Sequence, residues 1–324
     1  MNLAQVDQIA KAVLYEGYML YPYRPSSVKN RQRFNFGVLY PQAYSEAQSG
    51  ADPCSMRTEC LVSGNAEHGS QPSIEVRLRF LHLETRSGRH AESSLPEDWQ
   101  ETEEREVSLP PCYLDQLCGQ PLRYSFRFPD PADAIDSKDG RRQEAVSGTI
   151  DITAEKILDN VFKVSVFTRN VVAIPANCTR DQVLMSSMVS THLVLGAQSG
   201  EFISLLEPPP ALQGLAAQCE NVGAWPVLVG ESGQRDTMLA SPIILYDYPQ
   251  IAPESAGDLF DGTEIDEILS LRIMTLTDEE KREIRQSDER ARRVLERTEN
   301  MPAEQFMKLH GAVRSLRPLG RETP

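Results

Sequence analysis

The clearest pattern in the chain is an alternation of apolar and polar residues over residues 73–84. One set of alternate positions is apolar apart from a histidine: Ile74, Val76, Leu78, Phe80 and His82. Charged residues stand between them: Glu75, Arg77 and Arg79. A period of two places successive side chains on opposite faces, so the pattern predicts a β-strand with one buried face and one face in water.

Shorter patterns of the same kind predict more strands. Alternation favours strands at residues 34–40, 58–62 and 121–128, and a hairpin over residues 149–170 that turns at 158–160. Two apolar runs, residues 225–229 and 242–246, are typical of buried strands. Residues 86–106 are charged and have no sustained period, which predicts a surface loop. Together the strands predict a mostly antiparallel β core.

Helical signals flank this core. Residues 5–21 have apolar positions near helical spacing, and residues 179–194 begin at Thr179 or Asp181, either of which can cap a helix. Residues 212–220 are expected to form a short helix. Near the C-terminus, Thr277-Asp-Glu-Glu280 is a capping-box pattern that opens a highly charged helix reaching about Arg297. Its apolar stripe is thin, so it either lies loosely on the body or meets a partner.

The predicted fold class is therefore α+β, with flanking helices and a charged helical C-terminal extension. The expected division is a single domain over residues 1–270 and the extension over residues 271–324.

The composition is that of a globular protein with an acidic surface. The chain has 324 residues, of which 40 % are hydrophobic and 25 % charged, a net charge of −14 and a pI near 4.9. Such a surface repels nucleic-acid phosphates and anionic lipids, so neither is expected as a partner. No apolar run approaches the roughly 18–20 residues of a membrane span. The first residues carry no signal-peptide pattern, so a cytoplasmic location is expected.

The six cysteines are sparse, and reduced thiols are expected. Cys54 and Cys60 share a C-x5-C spacing with Cys112 and Cys118. Zinc sites usually need a shorter spacing, which places both sulfurs on one tight turn, so ordinary thiols are favoured over a metal site.

No catalytic or nucleotide-binding motif stands out. A G-x-S-x-G element and glycine-rich phosphate loops are both missing from the sequence, so neither catalysis nor a cofactor is expected. His192, in Ser190-Thr-His-Leu193, is interpreted as an interior or helix-end histidine. An enzyme of unrecognised type around His192 stays open as an alternative.

Two stretches, residues 12–31 and residues 241–268, are too specific for ordinary core or linker, and they hold six of the ten tyrosines. The tyrosines of the first stretch either bury their rings while each hydroxyl finds a partner, or form a recognition surface with nearby basic residues. The acidic cluster at residues 258–267 has three interpretations: a loop leading into a helix at about Thr263, a protein-binding patch, or a site for a hard cation, with Cys54 and Cys60 as further candidate ligands. The candidate partner-binding residues are Tyr15, Tyr18, Tyr21, Tyr23, Arg24, Lys29, Asn30, Asp258, Asp261, Glu264, Asp266 and Glu267.

The same stretches carry a resemblance to a known group of proteins. Leu14-Tyr-Glu-Gly-Tyr-Met-Leu-Tyr-Pro-Tyr-Arg24 resembles the opening of an uncharacterised bacterial family encoded among accessory genes of uptake [NiFe] hydrogenases, notably of the actinobacterial type. Three later motifs share the resemblance: Ser241-Pro-Ile-Ile-Leu-Tyr-Asp-Tyr-Pro-Gln-Ile-Ala-Pro-Glu-Ser255, Gly257-Asp-Leu-Phe-Asp-Gly-Thr-Glu-Ile-Asp-Glu267 and Leu271-Arg-Ile-Met-Thr-Leu-Thr-Asp-Glu-Glu280.

The resemblance implies an accessory or maturation protein that contacts a hydrogenase subunit or a maturation protein. The leading hypothesis is a factor that acts by protein–protein contact without catalysis of its own. A protein that binds a metal through residues 258–267 is the second hypothesis, and the enzyme around His192 is the third.

Overall fold

The structure is a computed structural model that describes residues 3–25, 27, 29–30, 33–64, 71–86, 100–128, 141–175, 177–251, 257, 259, 266–287 and 289–309. It is an α+β fold in which two antiparallel sheets pack face to face, as the sequence predicts. In the described ranges no helix is both long and apolar enough to cross a bilayer.

The first sheet has five strands in the spatial order β10-β1-β8-β7-β5. Its strands are β1 (Ser55–Gly64), β5 (Leu122–Phe128), β7 (Val146–Leu158), β8 (Val161–Asn170) and β10 (Gly200–Ile203). β7 and β8 form the predicted hairpin, with Gly148 opposite Asn170 and Leu158 opposite Val161.

The second sheet has the order β11-β12-β9-β2-β3, with two short strands paired to β2. Its strands are β2 (Ser73–Arg86), β3 (Gln100–Ser108), β4 (Cys112–Tyr113), β6 (Arg141–Arg142), β9 (Val189–Gln198), β11 (Trp225–Leu228) and β12 (Thr237–Ser241). β9 and β10 are separated by Ser199 alone, whose φ of 52° lets the chain pass from one sheet to the other.

The main core lies between the sheets. On β2 the alternation works as predicted, because Ile74, Val76, Leu78 and Phe80 belong to the buried cluster that the two sheets share. His82 continues this face and lies beside the Phe128 ring. The opposite face of β2 is only partly open to water, because helix α1 (Leu3–Leu14) lies against the second sheet.

Helix α1 packs its apolar stripe on that outer face. Val6, Ile9 and Val13 form one cluster with Val194 of β9 and Leu239 of β12. Burial of a side chain of this size contributes roughly 1.5–3 kcal/mol. The helix ends at Leu14, earlier than the predicted residue 21, and Gly17 follows with a φ of 69° that favours glycine.

The C-terminal helices share a second core with the N-terminal tyrosine stretch. Helix α6 (Asp266–Met274) supplies Leu269 and Ile273, and α7 (Asp278–Arg285) supplies Ile284. Helix α8 (Glu289–Glu299) supplies Val294 and Leu295 to the same cluster. The predicted boundary at residue 270 falls inside α6, and the thin apolar stripe of the charged region is buried against the body.

The remaining helices are short. They are α2 (Gln42–Ala47), α3 (Leu114–Gly119), α4 (Arg180–Leu184), a 3-10 turn at Pro210–Leu212, α5 (Gln213–Ala216) and α9 (Ala303–Leu309). Thr179 caps α4 and Thr277 caps α7, each within a complete capping box, so the threonine cap signals in the sequence are confirmed.

Two predicted elements around β9 are wrong. The helix predicted over residues 179–194 stops at Leu184, and β9 begins at Val189. The strand predicted over residues 34–40 makes only an isolated bridge between Leu39 and Met188. Positive φ angles of 61° at Phe34 and 51° at Gly37 interrupt the extended backbone there.

Three further predictions also need correction. The predicted loop at residues 86–106 contains most of β3. The predicted strand at residues 242–246 is not in a sheet, and the strand of that region, β12, lies just before it at Thr237–Ser241. Pro242 follows that strand and has no N–H to continue its ladder. The charged helix after Thr277 is two helices, α7 and α8.

Candidate interaction surfaces

The tyrosines of the first stretch are mainly core residues. Tyr15, Tyr18 and Tyr23 are buried in the cluster shared with α6, α7 and α8. The Tyr15 and Tyr18 rings meet edge to face, with centroids 5.8 Å apart. The Tyr23 hydroxyl donates to the Leu259 carbonyl oxygen at 2.6 Å. Of the two interpretations, the structure shows the buried one for these three side chains, which are not available to a partner in this conformation.

Arg290 of helix α8 packs on two of these tyrosine rings. Arg290 lies over the Tyr15 ring at 4.1 Å and the Tyr18 ring at 4.9 Å from the centroids. Its Nη2 donates to the Tyr15 hydroxyl at 2.5 Å, and that hydroxyl donates to the Glu104 carboxylate of β3. Burial and the bond to Glu104 raise the pKa of the Tyr15 hydroxyl strongly. The rings of Tyr15 and Tyr18 therefore form a cation–π contact with the Arg290 guanidinium.

Arg24 and Tyr21 of the first stretch also contact the C-terminal helices. Arg24 pairs with Glu280 at 3.2 Å and with Glu283 at 3.8 Å. Tyr21 is half-buried and receives the Arg272 guanidinium of α6 at 5.6 Å from its ring centroid. These contacts join the two ends of the chain.

Asn30 closes the loop that carries these residues. Its Oδ1 accepts from the Leu20 N–H at 2.8 Å, and its Nδ2 donates to the Leu20 and Arg24 carbonyl oxygens at 2.8 and 3.1 Å. Asn30 is buried, whereas Lys29 beside it is exposed. Of the candidates in this stretch, only Lys29 is exposed, with Tyr21 and Arg24 half-exposed.

The acidic cluster is described only in part. Asp258, Asp261 and Glu264 lie outside the described residues. Asp266 and Glu267 are half-buried in the first turn of α6, where the helix dipole favours carboxylates. Across the described ranges, no group of three or more His, Cys, Asp or Glu side chains could hold a metal ion.

The cysteines are unpaired thiols, as expected. Cys60 is fully buried between the sheets, and burial raises the pKa of its thiol strongly. Burial also raises the pKa of Cys112, and it raises the pKa of Cys219 to about 11. Thiols of this kind stay protonated near neutral pH and are poor nucleophiles.

The two described histidines are buried, neutral groups. His192 lies on β9 with its Nδ1 2.8 Å from the Ser190 carbonyl oxygen, and His82 places Nε2 2.9 Å from the Glu144 carbonyl oxygen. Burial lowers the pKa of each imidazole to about 4. Because His192 has no exposed surface, a substrate cannot reach it in this conformation.

A charged groove lies where α1 crosses β2 and β3. It has a volume of about 250 Å³. Arg79 donates to Asp7 at 2.7 Å and to Glu106 at 2.6 Å. The sequence pattern placed Arg79 in water, and nothing in it indicated the contact with α1. The groove is lined by Asp7, Lys11, Leu14, Arg79, Glu104, Arg105 and Glu106.

Among the described residues, the most exposed apolar side chains lie in the second stretch, in residues 242–248, here termed the 242–248 segment. Ile244 is 75 % and Tyr246 85 % exposed, whereas Ile243 and Leu245 pack against the α1 cluster. The prediction of a buried strand was wrong for half of these side chains. An alternation of inward and outward residues cannot be recognised from the sequence when both sets are apolar.

The 242–248 segment is held in place at both ends. The carboxylate of Asp247 accepts from the Leu228 N–H at 2.7 Å and from the Ser204 hydroxyl at 2.5 Å. Tyr248 N–H donates to the Leu228 carbonyl oxygen at 2.7 Å. At the other end, a Cβ on Gly37 would lie 2.6 Å from Pro242 Cγ, so only glycine fits against that proline.

Comparison with known proteins adds no relative: no protein-family profile matches the chain, and no curated protein is significantly similar to it.

Proposed function

We propose that this protein is a non-catalytic accessory factor of [NiFe]-hydrogenase biogenesis that works by protein–protein contact in the cytoplasm. The observation that carries the contact function is the exposure of Ile244 and Tyr246 on an anchored backbone. The hydrogenase assignment is supported by the resemblance of the two marked stretches alone.

Ile244 and Tyr246 are apolar side chains whose exposure to water is unfavourable. Two large apolar groups held in water gain roughly 3 kcal/mol or more when a partner buries them. Anchoring by Asp247 and by the packing of Ile243 and Leu245 means that little backbone order must be gained on binding. Exposed apolar groups that form a patch are typical of contact surfaces.

The test is affinity purification of the tagged protein from its native host, with bound proteins identified by mass spectrometry. Wild type is compared with the double variant Ile244→Ser/Tyr246→Ser and with Leu158→Ser, a control that is 48 % exposed in the β7–β8 turn region. We expect a hydrogenase subunit or maturation protein in stoichiometric amount with wild type and the control, and a loss of roughly tenfold with the double variant.

Recovery of neither class of protein with wild type would overturn the proposal. Hydrogenase activity of the host gives a second readout, which should fall with the double variant and not with the control. The acidic cluster is tested in the same way with Asp261→Asn/Glu264→Gln. Elemental analysis of protein purified without chelator addresses the metal alternative, which requires about one cation per chain.

A further inference from the structure

Residues 244–246, in the middle of the 242–248 segment, form a strand-like stretch whose main chain is unpaired among the described residues. Its side chains alternate between the α1 cluster and solvent, as in a β-strand. Within the described part of the chain, the main-chain N–H and C=O groups of Ile244, Leu245 and Tyr246 make no hydrogen bond. Ile243 bonds only to the Ser241 hydroxyl, through both its N–H and its C=O.

Such an arrangement favours addition of a strand from outside. An extended peptide can pair its main chain with an open edge, while its alternate side chains contact the exposed residues of that edge. Here Ile244 and Tyr246 lie on one face of the stretch and would contact the peptide's side chains. Unpaired backbone in an anchored, extended stretch is the template that this binding mode uses.

The charge of the chain favours a basic partner. Residues 201–251 contain a single basic residue, Arg235, and the molecule carries a net charge of −14. Acidic residues in this range outnumber it and are Glu201, Glu207, Glu220, Glu231, Asp236 and Asp247. A second copy of this chain would bring the same negative charge, whereas a basic segment gains from complementary charge.

We propose that the 242–248 segment docks an extended, basic segment of a partner protein by strand addition, with apolar side chains alternating with lysine or arginine. This inference rests on the proposed function, because it specifies the contact through which the accessory factor acts. It assigns main-chain pairing to Ile244, Leu245 and Tyr246, and side-chain contact to Ile244 and Tyr246.

The probe is a heptapeptide of alternating lysine and valine, with a heptapeptide of alternating glutamate and valine as its matched control. Amide NMR spectra and hydrogen exchange of the full-length protein are recorded with each. We expect the lysine peptide to shift the amide signals of the 242–248 segment and to slow exchange there roughly tenfold at saturation. The glutamate peptide should bind at least roughly tenfold more weakly.

Variants at Tyr246 can distinguish binding through the main chain from binding through the side chain. The Tyr246 ring is exposed, so a substitution there removes no core contact. Tyr246→Thr keeps the backbone N–H and introduces a β-branched side chain that suits a strand, whereas Tyr246→Pro restricts the backbone and removes the N–H. Strand addition predicts that Tyr246→Pro weakens binding of the lysine peptide more than Tyr246→Thr does. Equal effects would overturn it, and unchanged thermal unfolding of both variants confirms that they fold.

Three other results would overturn the inference. They are slow exchange of these amides in the free protein, equal binding of both peptides, and no binding of the lysine peptide at millimolar concentration. Sedimentation that shows a dimer lost in Ile244→Ser/Tyr246→Ser would assign the surface to a second copy instead. If co-purification in the host still depends on Ile244 and Tyr246, the proposed function stands while strand addition fails.

Discussion

Acid should destabilise this protein well above the pH at which its carboxylates titrate, because two histidines are buried as neutral imidazoles. His192 on β9 has no exposed surface, and its charged neighbours are Arg79, which lowers its pKa, and Glu106, which raises it less. Burial is the main reason that its pKa falls from 6.5 to about 4. The variant His192→Asn removes the imidazole and keeps a donor, because the asparagine amide nitrogen can replace Nδ1 as the donor to the Ser190 carbonyl oxygen.

The direction follows from which state binds the proton. Between about pH 6.5 and pH 4 the unfolded chain protonates this imidazole and the folded chain does not, so stability falls as the pH falls through that range. At about 1.4 kcal/mol per pH unit the full difference is about 3 kcal/mol, of which about 2 kcal/mol is lost between about pH 7 and pH 5. His82, also with a pKa near 4, contributes a similar amount.

The assay is urea unfolding, followed by fluorescence and circular dichroism, at several pH values from about 7.5 to 5. Carboxylates such as Glu106, Glu280 and Glu299 have lowered pKa values, so the stability they contribute is lost at more acidic pH and does not disturb this range. His192→Asn is expected to be less stable than wild type near pH 7, and to lose about 2 kcal/mol less between the two ends of the range.

His82→Gln, which keeps the donor to the Glu144 carbonyl oxygen, is the matched variant and should behave in the same way. Proton NMR of the imidazole signals provides an independent measure of each pKa. Titration of His192 near 6.5 in the folded protein, or a pH dependence of stability that is the same in wild type and His192→Asn, would contradict this prediction.

Three further predictions concern stability and reactivity. Arg290→Ala removes the guanidinium from the tyrosine rings and its hydrogen bond to Tyr15, so the free energy of unfolding in urea should fall by about 2 kcal/mol. The exposed control Arg293→Ala on the same helix should lower it by less than about 0.5 kcal/mol. Equal losses in the two variants would contradict the cation–π contact. Mass spectrometry after iodoacetamide treatment of the native protein should find exposed Cys118 modified and buried Cys60 unmodified until urea is added; early labelling of Cys60 would show that the core opens. Thr277→Ala removes the cap of α7 and should lower the free energy of unfolding by about 1 kcal/mol in the same urea assay; an unchanged value would mean that this helix end is not coupled to global unfolding.

Local patterns predicted the elements that have one buried and one exposed face. β2 alternates because one face meets the core, and the β7–β8 hairpin is likewise amphipathic with a turn at the expected residues. β9 is different, because nearly all of its residues are buried on both faces. A strand without alternation of apolar and polar residues cannot be distinguished from a buried helix by its sequence pattern. β3 pairs with β2 along its whole length, and its Glu106 meets Arg77 and Arg79 of β2; a charged run alone does not reveal that partner.

For the candidate sites, too, the sequence identified unusual residues, whereas the fold determined whether they are buried or exposed. The tyrosine stretch stood out by composition, yet whether its rings face water or the core depends on α6, α7 and α8, which come from the other end of the chain. Lys29 is exposed and Asn30 is buried, although they are neighbours in sequence. The open backbone of the 242–248 segment has no local signal, because pairing depends on which strands the fold brings alongside.

The sequence by itself determined the acidic surface, the antiparallel character of the core, the capping of α4 and α7, and the two stretches that set this chain apart. These properties depend on residue type and on spacing over a few residues. Contacts between distant elements place Arg290 on the tyrosine rings, bury His192 completely and leave Ile244 and Tyr246 exposed. Burial is set by contacts between residues distant along the chain, and local periodicity carries no information about which distant surfaces meet.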